Sequence, residues 1–80
     1  MVLGEYKVRG SHLVDFNNKF FNYGEDLKNF VFDFKSKNVG STEITYIIEF
    51  YDGKSSFKDA ITKSVSLKKQ NWFEDFFEKI

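Results

Sequence analysis

The chain has 80 residues, with 12 Lys+Arg against 12 Asp+Glu, so it has room for one small domain and no net charge to draw it to nucleic acid or an anionic membrane. It lacks cysteine and proline, which excludes disulfide staples, thiolate chemistry and a polyproline linker. Sixteen aromatic residues (11 Phe, 4 Tyr, 1 Trp) make up 20% of it, and disordered segments are poor in aromatics, so the chain is expected to fold.

No stretch approaches the roughly 20 apolar residues of a transmembrane helix. Glu5 and Lys7 interrupt the first seven residues, which is not the pattern of a signal peptide. A cytoplasmic or nucleoid-associated protein is the expectation. Glycines at 4, 10, 24, 40 and 53 punctuate the chain where turns are wanted.

Taken in order, residues 1–28 read as N-terminal strands whose pairing the sequence leaves open. Tyr6 and Val8 alternate with Lys7 and Arg9, while Leu13-Val14-Asp15-Phe16 and Lys19-Phe20-Phe21 are apolar but irregular candidates. Residues 29–69 read as a β-meander. Phe30, Phe32 and Phe34 share one face of a strand across 28–37. Leu27, Phe30, Val31 and Phe34 also have helical spacing, but Phe favours strands and Asn38-Val39-Gly40-Ser41 supplies a hairpin turn behind them. Residues 42–51 give the strongest strand signal, with Ile44, Tyr46, Ile48 and Phe50 on one face and Thr45, Ile47, Glu49 and Tyr51 on the other. Asp52-Gly53 is a preferred tight-turn dipeptide, and Lys63 to Lys68 alternates again with Val65 and Leu67 inward.

The period then changes. Asn71 can cap a helix over 71–80 whose apolar stripe is Trp72, Phe73, Phe76, Phe77 and Ile80. A ten-residue helix is marginal in water unless it docks, and the sheet is the available partner. The expected fold is therefore α+β: an antiparallel sheet of about four strands followed by one C-terminal amphipathic helix, in the order β-β-β-β-α, forming a single domain over 1–80. The stripe is wider than one thin sheet covers, so a symmetric homodimer with the stripes near its two-fold axis is expected.

Catalytic chemistry has little to work with. His12 is the single imidazole, and a surface or strand-edge histidine is the better reading than a general base. Neither a calcium loop, nor a cysteine or histidine ligand set, nor a glycine-rich nucleotide cradle is written. Glu25-Asp26 and Glu74-Asp75 read as capping or solvated charges. Neither an enzyme nor a metal or cofactor site is expected.

Binding is easier to argue. Residues 53–70 carry five lysines against Asp59 alone, although the rest of the chain is acidic. Strand aromatics edged by lysine are how proteins hold single-stranded DNA or RNA: each stacked base contributes roughly 1–3 kcal/mol while lysines track the phosphates. The candidates are Phe34, Lys35, Lys37, Tyr51, Lys58 and Lys63. Phe34 has a second reading as core, because Phe30, Phe32 and Phe34 share a face.

The C-terminal half resembles a known pattern. Asp33-Phe34-Lys35-Ser36-Lys37, Ile47-Ile48-Glu49-Phe50-Tyr51, Lys63-Ser64-Val65-Ser66-Leu67 and Gln70-Asn71-Trp72 follow the order of motifs in the PC4-type single-stranded DNA-binding coactivator domain, whose β-β-β-β-α order the Pur-alpha and Whirly folds share. The resemblance implies a dimer gripping single strands by its β-surface, with a role in transcription, replication or recombination. It implies a strand-end DNA contact at Phe34, Lys35 and Lys37, a stacking ring at Tyr51, a basic contact at Lys63 and a core role for Trp72. Ile48 stands where that family has arginine, and Ser64 where it has glycine. Zero net charge, a single arginine and Ile48 favour the alternative: a small protein-binding module, such as a phage or mobile-element inhibitor, using the same sheet.

Overall fold

Strict alternation over 43–52 builds an inner strand of a sheet, and its neighbours in sequence are its neighbours in space. A computed structural model of the chain describes residues 1–19, 24–53 and 56–80. Phe20 and Phe21 of a candidate strand, Lys54 of the lysine-rich stretch and the side chains of Glu25 and Asp26 lie outside what is described. Five strands, β1 (Gly4–Val8), β2 (Phe30–Val39), β3 (Glu43–Asp52), β4 (Ser56–Ser66) and β5 (Phe77–Lys79), pair antiparallel in the order β4-β3-β2-β1-β5. Two short helices, α1 (Leu13–Lys19) and α2 (Gln70–Glu74), complete an α+β fold.

Strands β2 and β3 form the expected hairpin, closed by the Gly40 N–H donating to the Glu43 carbonyl at 2.8 Å. Gly53, after Asp52, has φ +76°, a left-handed conformation that glycine adopts without steric penalty. The face carrying Phe30, Phe32, Phe34, Ile44, Tyr46, Ile48 and Phe50 is fully buried. Phe16 of α1 closes over it with ring contacts to Phe32 and Phe77, and Phe73 of α2 does so with contacts to Tyr46 and Phe77. Aromatic pairs of this kind contribute roughly 0.5–1.5 kcal/mol each beyond area burial. Val65 is inward as expected, and Leu67 packs against the core from a 3-10 turn (Leu67–Lys69).

Two expectations need correction. Among the described residues of 1–28 the one strand is Gly4–Val8; Leu13–Lys19 is helical. Its one buried residue is Phe16, with Val14 and Asp15 exposed just before it, and a short helix delivers one large ring to the core more compactly than a two-faced strand. The helix expected over 71–80 ends at Glu74, and Phe77–Lys79 is strand. The vacant edge of β1 decides this. The Arg9 N–H donates to the Phe76 carbonyl at 2.8 Å and the Ile80 N–H to the Glu5 carbonyl at 3.1 Å, so β5 caps an edge whose backbone groups would otherwise face water. Phe73, Phe76 and Phe77 are buried within the chain all the same, while Trp72 and Ile80 stay exposed. Three of the five stripe residues expected at a dimer axis are thus consumed by the chain's own core.

Candidate binding surface

Strand alternation would set Lys35 and Lys37 on one face, but a bulge separates them. Phe34 pairs with Ile48 and Ser36 with Ile47, so Lys35 is the extra residue of β2 and the alternation restarts after it. Lys35 reaches the carboxylates of the uncovered face, with Nζ 2.7 Å from Asp33 Oδ2 and 4.0 Å from Glu49 Oε1. Lys37 lies opposite Tyr46 on the helix-covered side, its Nζ 3.2 Å from Glu74 Oε2.

A second bulge acts on β4. Phe50 pairs with Asp59 and Tyr51 with Phe57, leaving Lys58 unpaired between them. Its Nζ lies 6.0 Å from the centre of the buried Phe30 ring, on the covered side. Lys63 sits opposite Tyr46, also on that side. Phe34 is 1% exposed, in edge contact with Tyr6, Tyr46 and Phe77. It is core and has no ring face to offer a base. Of the six candidate residues, Lys35 and Tyr51 come together on the open face, Lys37, Lys58 and Lys63 lie on the other, and Phe34 is inside.

The open face is organised in rows across the strands. Phe57, Tyr51 and Val31 are successive partners on β4, β3 and β2, and Ile47 pairs with Thr62 two rows on. Phe57 is 57% exposed and Ile47 42%, and the Tyr51 and Phe57 rings meet edge to face at 5.6 Å. Beside Val31 lies a hollow of about 450 Å³ lined by Glu5, Lys7, Asn29, Val31, Gly53 and Ile80. The row between Tyr51 and Ile47 is acidic: Glu49 faces Asp33, and Asp33 faces Glu5. With Glu43 and Glu78, the described residues of this face present five carboxylates against the ammonium groups of Lys7 and Lys35, and the Arg9 guanidinium lies 4.0 Å from Glu78 Oε1.

Like charges directly opposite on a sheet destabilise it, and Lys35 answers that. The hydrogen bond and charge of Asp33 hold its ammonium above the ordinary lysine range. The Tyr51 hydroxyl donates to Glu49 Oε1 at 2.8 Å, a hydrogen bond that raises its own pKa. Lys35 and Tyr51 therefore already serve the acidic row. Sequence reasoning missed Phe57, Val31 and that row. A cross-strand register would have found them, and the two bulges that set it leave no mark in the hydropathy pattern.

Glu74 is the polar centre of the covered side. Its Oε2 accepts from the Tyr46 hydroxyl at 2.6 Å and from Gln70 Nε2 at 3.2 Å, and its Oε1 lies 3.2 Å from the Met1 ammonium. Burial works to raise this carboxyl, but the donors from Tyr46, Gln70, Met1 and Lys37 outweigh it and hold it at about 2. Near α2, the Trp72 ring is 41% exposed, with Lys19 Nζ 5.4 Å and Lys69 Nζ 5.8 Å from its centre. His12 Nε2 lies 3.4 Å from Asp75 Oδ2, its ring against Phe76. Among the described residues, no group of three or more His, Cys, Asp or Glu could hold a metal ion, and no helix is long and apolar enough to cross a membrane.

No protein-family model, curated protein or solved structure matches the chain.

Proposed function

We propose that the chain is a non-catalytic protein-binding module whose open sheet face receives a basic partner surface. The observation that carries this reading is the pairing, on one face, of an apolar strip (Val31, Ile47, Tyr51, Phe57) with the Glu5–Asp33–Glu49 row. Apolar rows on either side of a row in which carboxylates outnumber ammonium groups suit a partner with apolar anchors and interspersed lysine or arginine, since complementary potentials govern encounter and register. The hollow beside Val31 offers room for one anchoring side chain. The same carboxylates oppose a phosphate backbone, which needs cationic neutralisation.

The test is a titration of isotope-labelled protein with a short peptide alternating arginine and leucine, followed by amide NMR shifts. Shifts centred on Val31, Ile47 and Tyr51 that fade as salt rises support the reading. Shifts confined to the covered side, or none at millimolar peptide, overturn it.

A second reading keeps single-stranded DNA or RNA as the ligand but moves it off the open face. Its support is the half-exposed Trp72 ring beside the ammonium groups of Lys19 and Lys69, a stacking platform with cations at hand. The motif order shared with the PC4-type domain supports the ligand class, though that family would use the β-surface. Fluorescence anisotropy with labelled oligo-dT at two salt concentrations separates the readings. Steeply salt-dependent binding lost in Trp72→Ala favours this second one.

A further inference from the structure

One edge of the sheet is β5, three residues long; the other is β4, eleven residues with no proline to blunt it. A long edge strand presents a row of backbone N–H and C=O groups that templates pairing with another chain; on β4 the Ala60 N–H donates to Asp59 Oδ1 at 2.8 Å, a bond that pairing would exchange. Along β4, Asp59, Ile61 and Lys63 share the covered side, opposite Phe50, Ile48 and Tyr46, while Ala60 and Thr62 share the open side, opposite Glu49 and Ile47. Charge of one sign therefore lies two residues before a half-buried isoleucine, and charge of the other sign two residues after it.

We propose that β4 pairs antiparallel with β4 of a second copy, about a two-fold axis through Ile61. In that register Asp59 of each copy faces Lys63 of the other, Ile61 faces Ile61, and Ala60 faces Thr62. Every pair stays on its own side of the sheet, as a two-fold normal to the sheet requires. Neighbouring registers fail on charge or parity. An axis through Asp59 or Lys63 sets like charges opposite, one through Ala60 or Thr62 sets a charge against Ile61, and an axis between two residues sets covered-side groups against open-side ones. The bulge at Lys58 ends the regular ladder on one flank. Ile61 already packs against the core from its rim, and the second Ile61 completes its cover. The product is one continuous ten-stranded sheet whose remaining edges are the two short β5 strands, so assembly stops at the dimer.

Sedimentation of the full chain over a concentration series tests it, with far-UV circular dichroism reporting that each variant is folded. The parent is expected to dimerise. Asp59→Lys and Lys63→Asp each set like charges opposite twice, and each should weaken the dimer about tenfold or more. Mixing these two variants brings an all-lysine edge against an all-aspartate edge and should restore a heterodimer, and the doubly exchanged D59K/K63D chain should dimerise like the parent. An independent readout uses the absence of cysteine. Directly opposed residues have Cα atoms about 4.5–5.5 Å apart, within disulfide reach, so Ile61→Cys should crosslink on oxidation and Ala60→Cys, which faces Thr62, should not. A parent that stays monomeric at millimolar concentration overturns the proposal. So do single variants that dimerise as well as the parent, or a mixture of the two that fails to pair.

Discussion

Glu74 shows how much one side chain can tie together, since it joins β2, β3, α2 and the first residue through four donors. Its carboxyl sits near 4.5 in the unfolded chain and at about 2 in the folded one. A depressed folded value stabilises the fold above the unfolded value, and that contribution is lost as pH falls from about 4.5 through about 2. Glu74→Gln should therefore lower stability at neutral pH by roughly 1–3 kcal/mol, the usual worth of hydrogen bonds to a charged group. Urea melts at several pH values should show a shallower acid slope in the variant than in the parent; equal slopes would mean that Glu74 does not drive acid unfolding. Phe34→Ala is a second check at this scale. The ring is core, so the variant should lose about 3–5 kcal/mol of stability. At temperatures where it is folded, its affinity for the arginine–leucine peptide should match the parent's.

At the level of elements, alternation made the central strands legible. Phe30 to Phe34 and Ile44 to Phe50 announce their buried faces, and β2 and β3 lie where they were expected. The bulges were not legible, because one extra residue changes no local propensity and yet flips every later side chain to the other face. That is why Lys35 and Lys37, two apart in sequence, serve opposite sides. The end of α2 was hidden for another reason: Phe73, Phe76 and Phe77 are buried whether their backbone is helix or strand, so the apolar spacing cannot tell the two apart. The bulge itself is testable. Deleting Lys35 should restore plain alternation, Phe34 in and Ser36 out, so the β2–β3 register and the amide spectrum of β3 should survive. The deletion also strips the cation from between Asp33 and Glu49. It should cost roughly 0.2–1 kcal/mol, the scale of cross-strand charge pairs, and a second change, Glu49→Gln, should recover most of that. A deletion variant that fails to fold would show that the bulge is required for the strand's course.

Across the whole molecule, a net charge of zero conceals a division that no count of residues could reveal. On the open face the carboxylates outnumber Lys7 and Lys35, while Lys37, Lys58 and Lys63 lie on the covered side with Glu74 and Asp59, and Lys19 and Lys69 flank Trp72. Composition left both a nucleic-acid and a protein partner open; in the two readings proposed above, a protein takes the open face and a single strand the surroundings of Trp72. The acidic row also sets stability against binding. Glu5 lies directly opposite Asp33, a like-charge pair that works against the fold and that the proposed basic partner would relieve. Functional surfaces commonly carry such a conflict. Glu5→Gln should then raise stability by a few tenths of a kcal/mol, up to about 1, as read from urea midpoints at low salt. The same change should weaken binding of the arginine–leucine peptide, and the difference between parent and variant should shrink as salt screens the row. If stability and affinity instead fall together, Glu5 is a structural residue and the acidic row is not the partner's landing surface.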